Sequence, residues 1–141
     1  VVQGDADTDL TDYPDAAFDI VILSNSIQAL RRPDIAINNA LRVGREVIVT
    51  FPNFGHWRVR THLAIKGTMP RSRALPDTWF ETDNIHLCTI KDFVAFAADQ
   101  GFGVKAAYGL SSGGTPKAFS PAKDELPNFL SEAALFLLSR P

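Results

Sequence analysis

Residues Ile20 to Leu23, opened by Phe18 and closed by Ser24, Asn25 and Ser26, form an unbroken apolar run within the stretch Ala17 to Leu30. The run shows no alternation. It predicts a strand buried on both faces, as in a parallel sheet covered by helices. A second run, Val47 to Val49, lies within Glu46 to Phe51 and reads the same way. Between the two, Pro33 suits a first helical position and Asp34 the favourable first turn. Ile35, Ala36, Asn39, Ala40 and Val43 recur at helical spacing, and Gly44 reads as a left-handed cap. Strand, helix and strand fit within about 35 residues, the length of a parallel crossover unit. Open α/β sheets bind ligands past the carboxyl ends of their strands. That rule directs attention to Ser24, Asn25 and Ser26; Pro52, Asn53, Phe54 and Gly55 lie past the second strand's carboxyl end.

The remaining elements are placed around that unit. Val1 to Gln3 reads as the end of a strand, with Gly4 to Asp7 as the turn after it and loop as far as Asp15. A loosely amphipathic helix from about His56 to Lys66, capped by Gly67, mixes Trp57, Val59 and Leu63 with Arg58, Arg60 and Lys66. Thr68 to Leu87 is long, interrupted by prolines, and holds Trp79 and Phe80; such a segment fits a lid or an excursion packed by its own aromatics. Thr89 and Asp92 form a capping box for a helix carrying Ile90, Phe93, Val94 and Ala97, closed by Gly101. Phe102 to Leu110 alternates, which suits an edge or half-exposed strand, and Ser111 to Asn128 reads as loop. Ala133 to Leu138 is continuously apolar. The final hairpin is therefore expected to place its first arm outside and its second arm inward.

The chain has 141 residues, which suggests a single domain over residues 1–141. A net charge of −2 argues against a nucleic-acid partner. The single cysteine, Cys88, fits a reducing compartment, and no apolar stretch is long enough to span a membrane. A cytoplasmic location is expected. Arg58, Arg60, Lys66, Arg71 and Arg73 lie in a window without acidic residues, which suits either a solvated face or an acidic partner.

Several patterns carry little chemistry. Gly101, Gly103 and Ala106 match the spacing of a dinucleotide loop, but here the glycines close a helix and open a strand, the reverse of what pyrophosphate binding needs. His86 and Cys88 lack the paired spacing of a metal site, so no metal is expected. His86 suits a general base or a hydrogen-bonded loop residue, and Ser111 to Gly114 an anion-binding turn or a plain one. Asp5 is more informative. A carboxylate after a parallel strand can accept from an adenine amine, with the backbone at Ala6 completing the edge.

GDAD at Gly4–Asp7, FDIVILSNSIQAL at Phe18–Leu30, VTFPNFGHWRVR at Val49–Arg60 and TWFETDNIHLCTIKDF at Thr78–Phe93 together resemble the methionine-biosynthesis MetW family. The resemblance spans nearly the whole chain. It implies the class I S-adenosylmethionine-dependent methyltransferase fold, a Rossmann-like α/β sheet of seven strands with a C-terminal antiparallel hairpin. It places Asp5 and Ala6 near adenine, and Ser24 and Asn25, with Gln28 near them, at the methionine moiety and reaction mouth. No catalytic residue is assigned.

The glycine-rich loop after the family's first strand and the ribose-binding acid after its second have no counterpart in residues 1–141. The expectation is a C-terminal portion of the fold, with the first strands and about sixty N-terminal residues absent. One side of the Phe18–Ser24 strand is then unpaired, which invites homo-oligomers through the sheet edge. S-adenosylmethionine binding is expected to be weak or absent. The resemblance also implies a role in methionine biosynthesis, supporting homoserine O-acylation through contact with homoserine O-acyltransferase. Trp57, Arg58, Arg60, Trp79, Phe80 and His86 are the candidate partner or substrate-lid residues. The alternative is an S-adenosylmethionine-dependent methyltransferase acting on a small molecule.

Overall fold

The computed structural model describes residues 8–140. A 3-10 turn at Asp9–Asp12 leads into β1 (Phe18–Ser24), α1 (Pro33–Val43) and β2 (Gly44–Pro52). Then come α2 (Trp57–Lys66), α3 (Ile90–Asp99), β3 (Gly103–Leu110), a two-residue β4 (Lys117–Ala118), the short α4 (Leu126–Leu130) and β5 (Ala133–Ser139). The sheet order is β1-β2-β5-β3-β4. β1 and β2 are parallel, and β5 runs antiparallel between β2 and β3. The last long strand is thus inserted inward, as its unbroken apolar run predicts. The 111–128 segment is not all loop, because β4 covers part of β3's outer edge. Among the described residues the sheet has five strands, not seven.

The core lies on the sheet face carrying Leu23, Val47, Val49, Phe51, Phe136 and Leu138, under Ile37 and Leu41 of α1 and Ile90 and Phe93 of α3. At its centre, the Phe93 ring sits 4.8 Å from Phe51 and 4.6 Å from Phe136.

β1 corrects one expectation. It pairs only with β2 among the described residues, and Phe18, Ile20 and Ile22 are 43, 50 and 64% exposed. Its run is continuous because both faces are apolar, but α1 and α3 cover only the face that Leu23 presents. Gly44 corrects another. It is extended (φ −111°) and already in β2. Glycine is needed there because a Cβ would lie 2.7 Å from Val21 Cγ2.

Other local signals hold. Thr89 Oγ1 accepts from Asp92 N at 3.1 Å while the Asp92 carboxylate accepts from Thr89 N at 3.2 Å, a reciprocal cap. Gly67 and Gly101 both take the left-handed conformation that ends a helix. Among the described residues no helix is long and apolar enough to cross a membrane.

Candidate functional site

The carboxyl ends of β1, β2 and β3 and the start of β5 gather at one end of the sheet. At β1, the chain reverses through Asn25, whose φ of +48° is left-handed, a conformation Asn tolerates better than most residues. Asn25 N donates to the backbone O and the Oγ1 of Thr50, both at 3.0 Å. Gln28 holds the turn by donating Nε2 to Asn25 O at 3.0 Å. Its own carbonyl accepts from Ile85 N and His86 N, both at 2.9 Å. The fold therefore brings His86 beside the turn that follows β1. The His86 side chain is exposed, and with Gln28 and Cys88 it lines an apolar cavity of about 450 Å3 between α1 and α3.

At β2, Asn53 is the joint between elements. Buried at 1% exposure, it donates Nδ2 to Asn128 O (2.9 Å) and Ser131 O (2.8 Å). Its Oδ1 accepts from Gly55 N (2.8 Å) and from Ile90 N (3.3 Å) at the start of α3. These bonds fix the angle at which His56 enters α2.

His56 is buried beside Glu132, whose carboxylate accepts from the Ser112 hydroxyl and, at 3.0 Å, from Ser112 N. Arg58 Nη1 lies 3.9 Å from Glu132, and its guanidinium stacks 5.3 Å from the Trp57 ring. Arg60 donates Nε to Gly55 O at 2.6 Å and lies over Phe129. Trp79 and Phe80 are 74 and 68% exposed and touch each other edge to face at 5.6 Å. The 68–87 segment is therefore not an excursion packed by Trp79 and Phe80.

The acidities of Cys88, His56 and Glu132 are altered by their surroundings. Burial pushes the Cys88 thiol up to about 12, the nearby Asp92 carboxylate adding to it, so Cys88 is no nucleophile near neutral pH. Burial lowers His56 below its usual 6.5, against the opposing pull of Glu132. The Ser112 hydroxyl, donating to Glu132, holds that carboxyl below its usual 4.5.

The pH dependence of stability follows in two windows. Below about pH 6.5 the unfolded His56 takes up a proton that the folded chain resists, so stability falls with pH down to the folded value. The contribution of Glu132 is complete above 4.5 and is lost as pH falls through its lowered folded value. Urea melts across pH should show both declines. His56→Gln should flatten the upper one and Glu132→Gln the lower; unchanged slopes in these variants would contradict the assignment.

Of the sequence-predicted residues, Ser24 and Asn25 stand at the end of β1, while Asp5 and Ala6 lie outside the described residues. Trp57, Arg58 and Arg60 share the first turn of α2, with Trp79 and Phe80 on the long segment that follows. Asn53, His56 and Glu132 were not singled out as candidates. Glu132 sits just before β5, and only the strand order reveals that it faces α2. Among the described residues, no cluster of His, Cys, Asp and Glu could hold a metal.

This architecture is that of a class I methyltransferase. A SAM-dependent methyltransferase from Thermotoga maritima, described as a possible histamine N-methyltransferase, matches all of this chain and 63% of its own length (TM-score 0.60, 14% identity). A SAM-dependent methyltransferase from Archaeoglobus fulgidus matches 99% of this chain and 67% of its own (TM-score 0.60, 15% identity). At these identities the likeness concerns the fold. The chain belongs to the methionine biosynthesis protein MetW family, which matches residues 1–138. A relative from Rhodopirellula baltica, the bifunctional methionine biosynthesis protein MetXA/MetW, is 36% identical over 93 residues. That match takes in 65% of this chain and 15% of the relative's length.

Proposed function

We propose that this chain supports homoserine O-acylation in the cytoplasm by contacting homoserine O-acyltransferase. The observation that carries this reading is the exposed aromatic pair Trp79–Phe80 on a segment without regular structure, past the carboxyl end of β2. Two large, water-facing rings in contact are unfavourable in isolation and suit burial by a partner. Trp57, Arg58 and Arg60 would extend the contact, Trp and Arg being favoured at interface hot spots. The relative whose name joins MetXA and MetW in one protein supports such an association.

The test is co-purification and measured affinity for the acyltransferase. Trp79→Ala with Phe80→Ala should weaken binding at least about thirtyfold, the scale of a hot spot. The unfolding temperature should stay unchanged, because both side chains are exposed. Equal binding by the double variant would remove the aromatic pair from the interface.

A second reading, methyl transfer to a small molecule, has its own observation. Ser26 Oγ and Gln28 Oε1 are buried without a hydrogen-bond partner among the described residues, and both lie in the turn after β1. Unsatisfied buried polar atoms call for a partner, so this turn fits the methionine end of S-adenosylmethionine. Ser24 and Asn25 would hold that end, and Asp5 and Ala6 the adenine. The cofactor would supply a sulfonium methyl group, and the protein's task would be positioning. Calorimetric titration with S-adenosylmethionine should show weak binding that Asp5→Ala reduces further. No binding at all would leave the partner reading alone.

A further inference from the structure

Past the carboxyl end of β2, a cavity of about 380 Å3 opens between the start of α2, the 70–75 segment, Ser112 and Glu132. Its volume lies in the range of small-molecule sites. Its charge is one-sided. Arg58, Arg71 and Arg73 line it, and the one carboxylate there, Glu132, is already engaged by Ser112 and faced by Arg58. Among the described residues, Arg71 commits only its Nε, to Pro76 O at 3.0 Å. Arg73 has no ion pair or hydrogen bond with any described residue. α2 starts at the cavity without a side-chain cap from His56, so its amino end adds positive partial charge.

An independent observation points the same way. His56 is only 5% exposed and lines this cavity, yet its ring has no hydrogen-bond partner among the described residues. The ring lines the cavity with its nitrogens uncommitted, so it offers a donor and an acceptor to a molecule bound there. Guanidinium groups meet carboxylates and phosphates with paired donors.

We infer that this cavity binds a small molecule bearing a carboxylate or phosphate, with Arg71 and Arg73 gripping the oxyanion and His56 bonding the ligand's buried end. The inference does not rest on the acyltransferase reading, since the Trp79–Phe80 pair does not line the cavity.

The protein is titrated with malonate and, separately, with inorganic phosphate, followed by calorimetry and by the ring NMR signals of His56. At least one probe should bind saturably in the millimolar range or tighter. Combined Arg71→Gln and Arg73→Gln should weaken that binding about tenfold or more, while Lys66→Gln, outside the cavity, leaves it unchanged. Saturation by malonate alone assigns a carboxylate, by phosphate alone a phosphate, and by both the shared oxyanion chemistry. Both arginines are exposed, so the double variant keeps the fold, which a thermal melt verifies. Failure of both probes to saturate below about 50 mM, or binding by the double arginine variant as tight as the parent's, overturns the inference.

Discussion

Asn53→Ala should lower the unfolding free energy by about 3–5 kcal/mol, the sum expected when several buried groups lose their partners at once. Four side-chain hydrogen bonds disappear together. They join the end of β2 to the amino end of α3, to α4 and to the start of β5. The carbonyls of Asn128 and Ser131 are left without the Nδ2 donor. Asn53→Asp should be no better, because it sets a carboxylate oxygen against those two carbonyls. For a domain whose whole stability is about 5–15 kcal/mol, the loss is large. Urea-induced unfolding of both variants measures it, and a loss under about 1 kcal/mol would show that water replaces the amide at little cost.

Phe136→Ala should be comparably damaging, about 3–5 kcal/mol. Phe136 is fully buried in the central strand β5 and touches Phe51, Phe93 and Phe119. Its truncation leaves a cavity between the sheet and α3. These neighbours are held by the strand on either side and by the capped helix, so they cannot collapse to fill it. Phe136→Leu should cost much less, about 1 kcal/mol, because most of the volume remains. Thermal and urea melts of the pair test this. Equal losses would mean that ring geometry matters more than filled volume.

Legibility differed with the range of the interaction. The reciprocal Thr89–Asp92 cap and the left-handed Gly67 and Gly101 were readable because each is set by residues a few positions apart. The inward placement of β5 was readable because burial on both edges demands an apolar run. Gly44 was misread because its glycine answers to Val21, a neighbour brought close only by pairing with β1. The surface of β1 was misread because an apolar run cannot say which face is covered. At the candidate site, the place of Ser24 and Asn25 at the end of β1 was legible from where the apolar run stops. Asn53 was not, since three of its four side-chain bonds reach 37 to 78 residues along the chain. Arg71 and Arg73 were visible as basic residues, but their shared cavity with His56 exists only once the 70–75 segment folds back over α2.

The insertion of β5 between β2 and β3 also sets an order of events during synthesis. β2 and β3 leave the ribosome before β5 exists, yet neither touches the other in the finished sheet; each waits for the same late strand. Until then, β2 can pair only with β1, and the Phe51 ring lacks one of its two aromatic neighbours. Pairings that span so much sequence are slow to form. The nascent chain therefore passes through a stage in which one edge of β2 is open, and a chaperone or a partner arriving early would meet a surface that the finished protein hides.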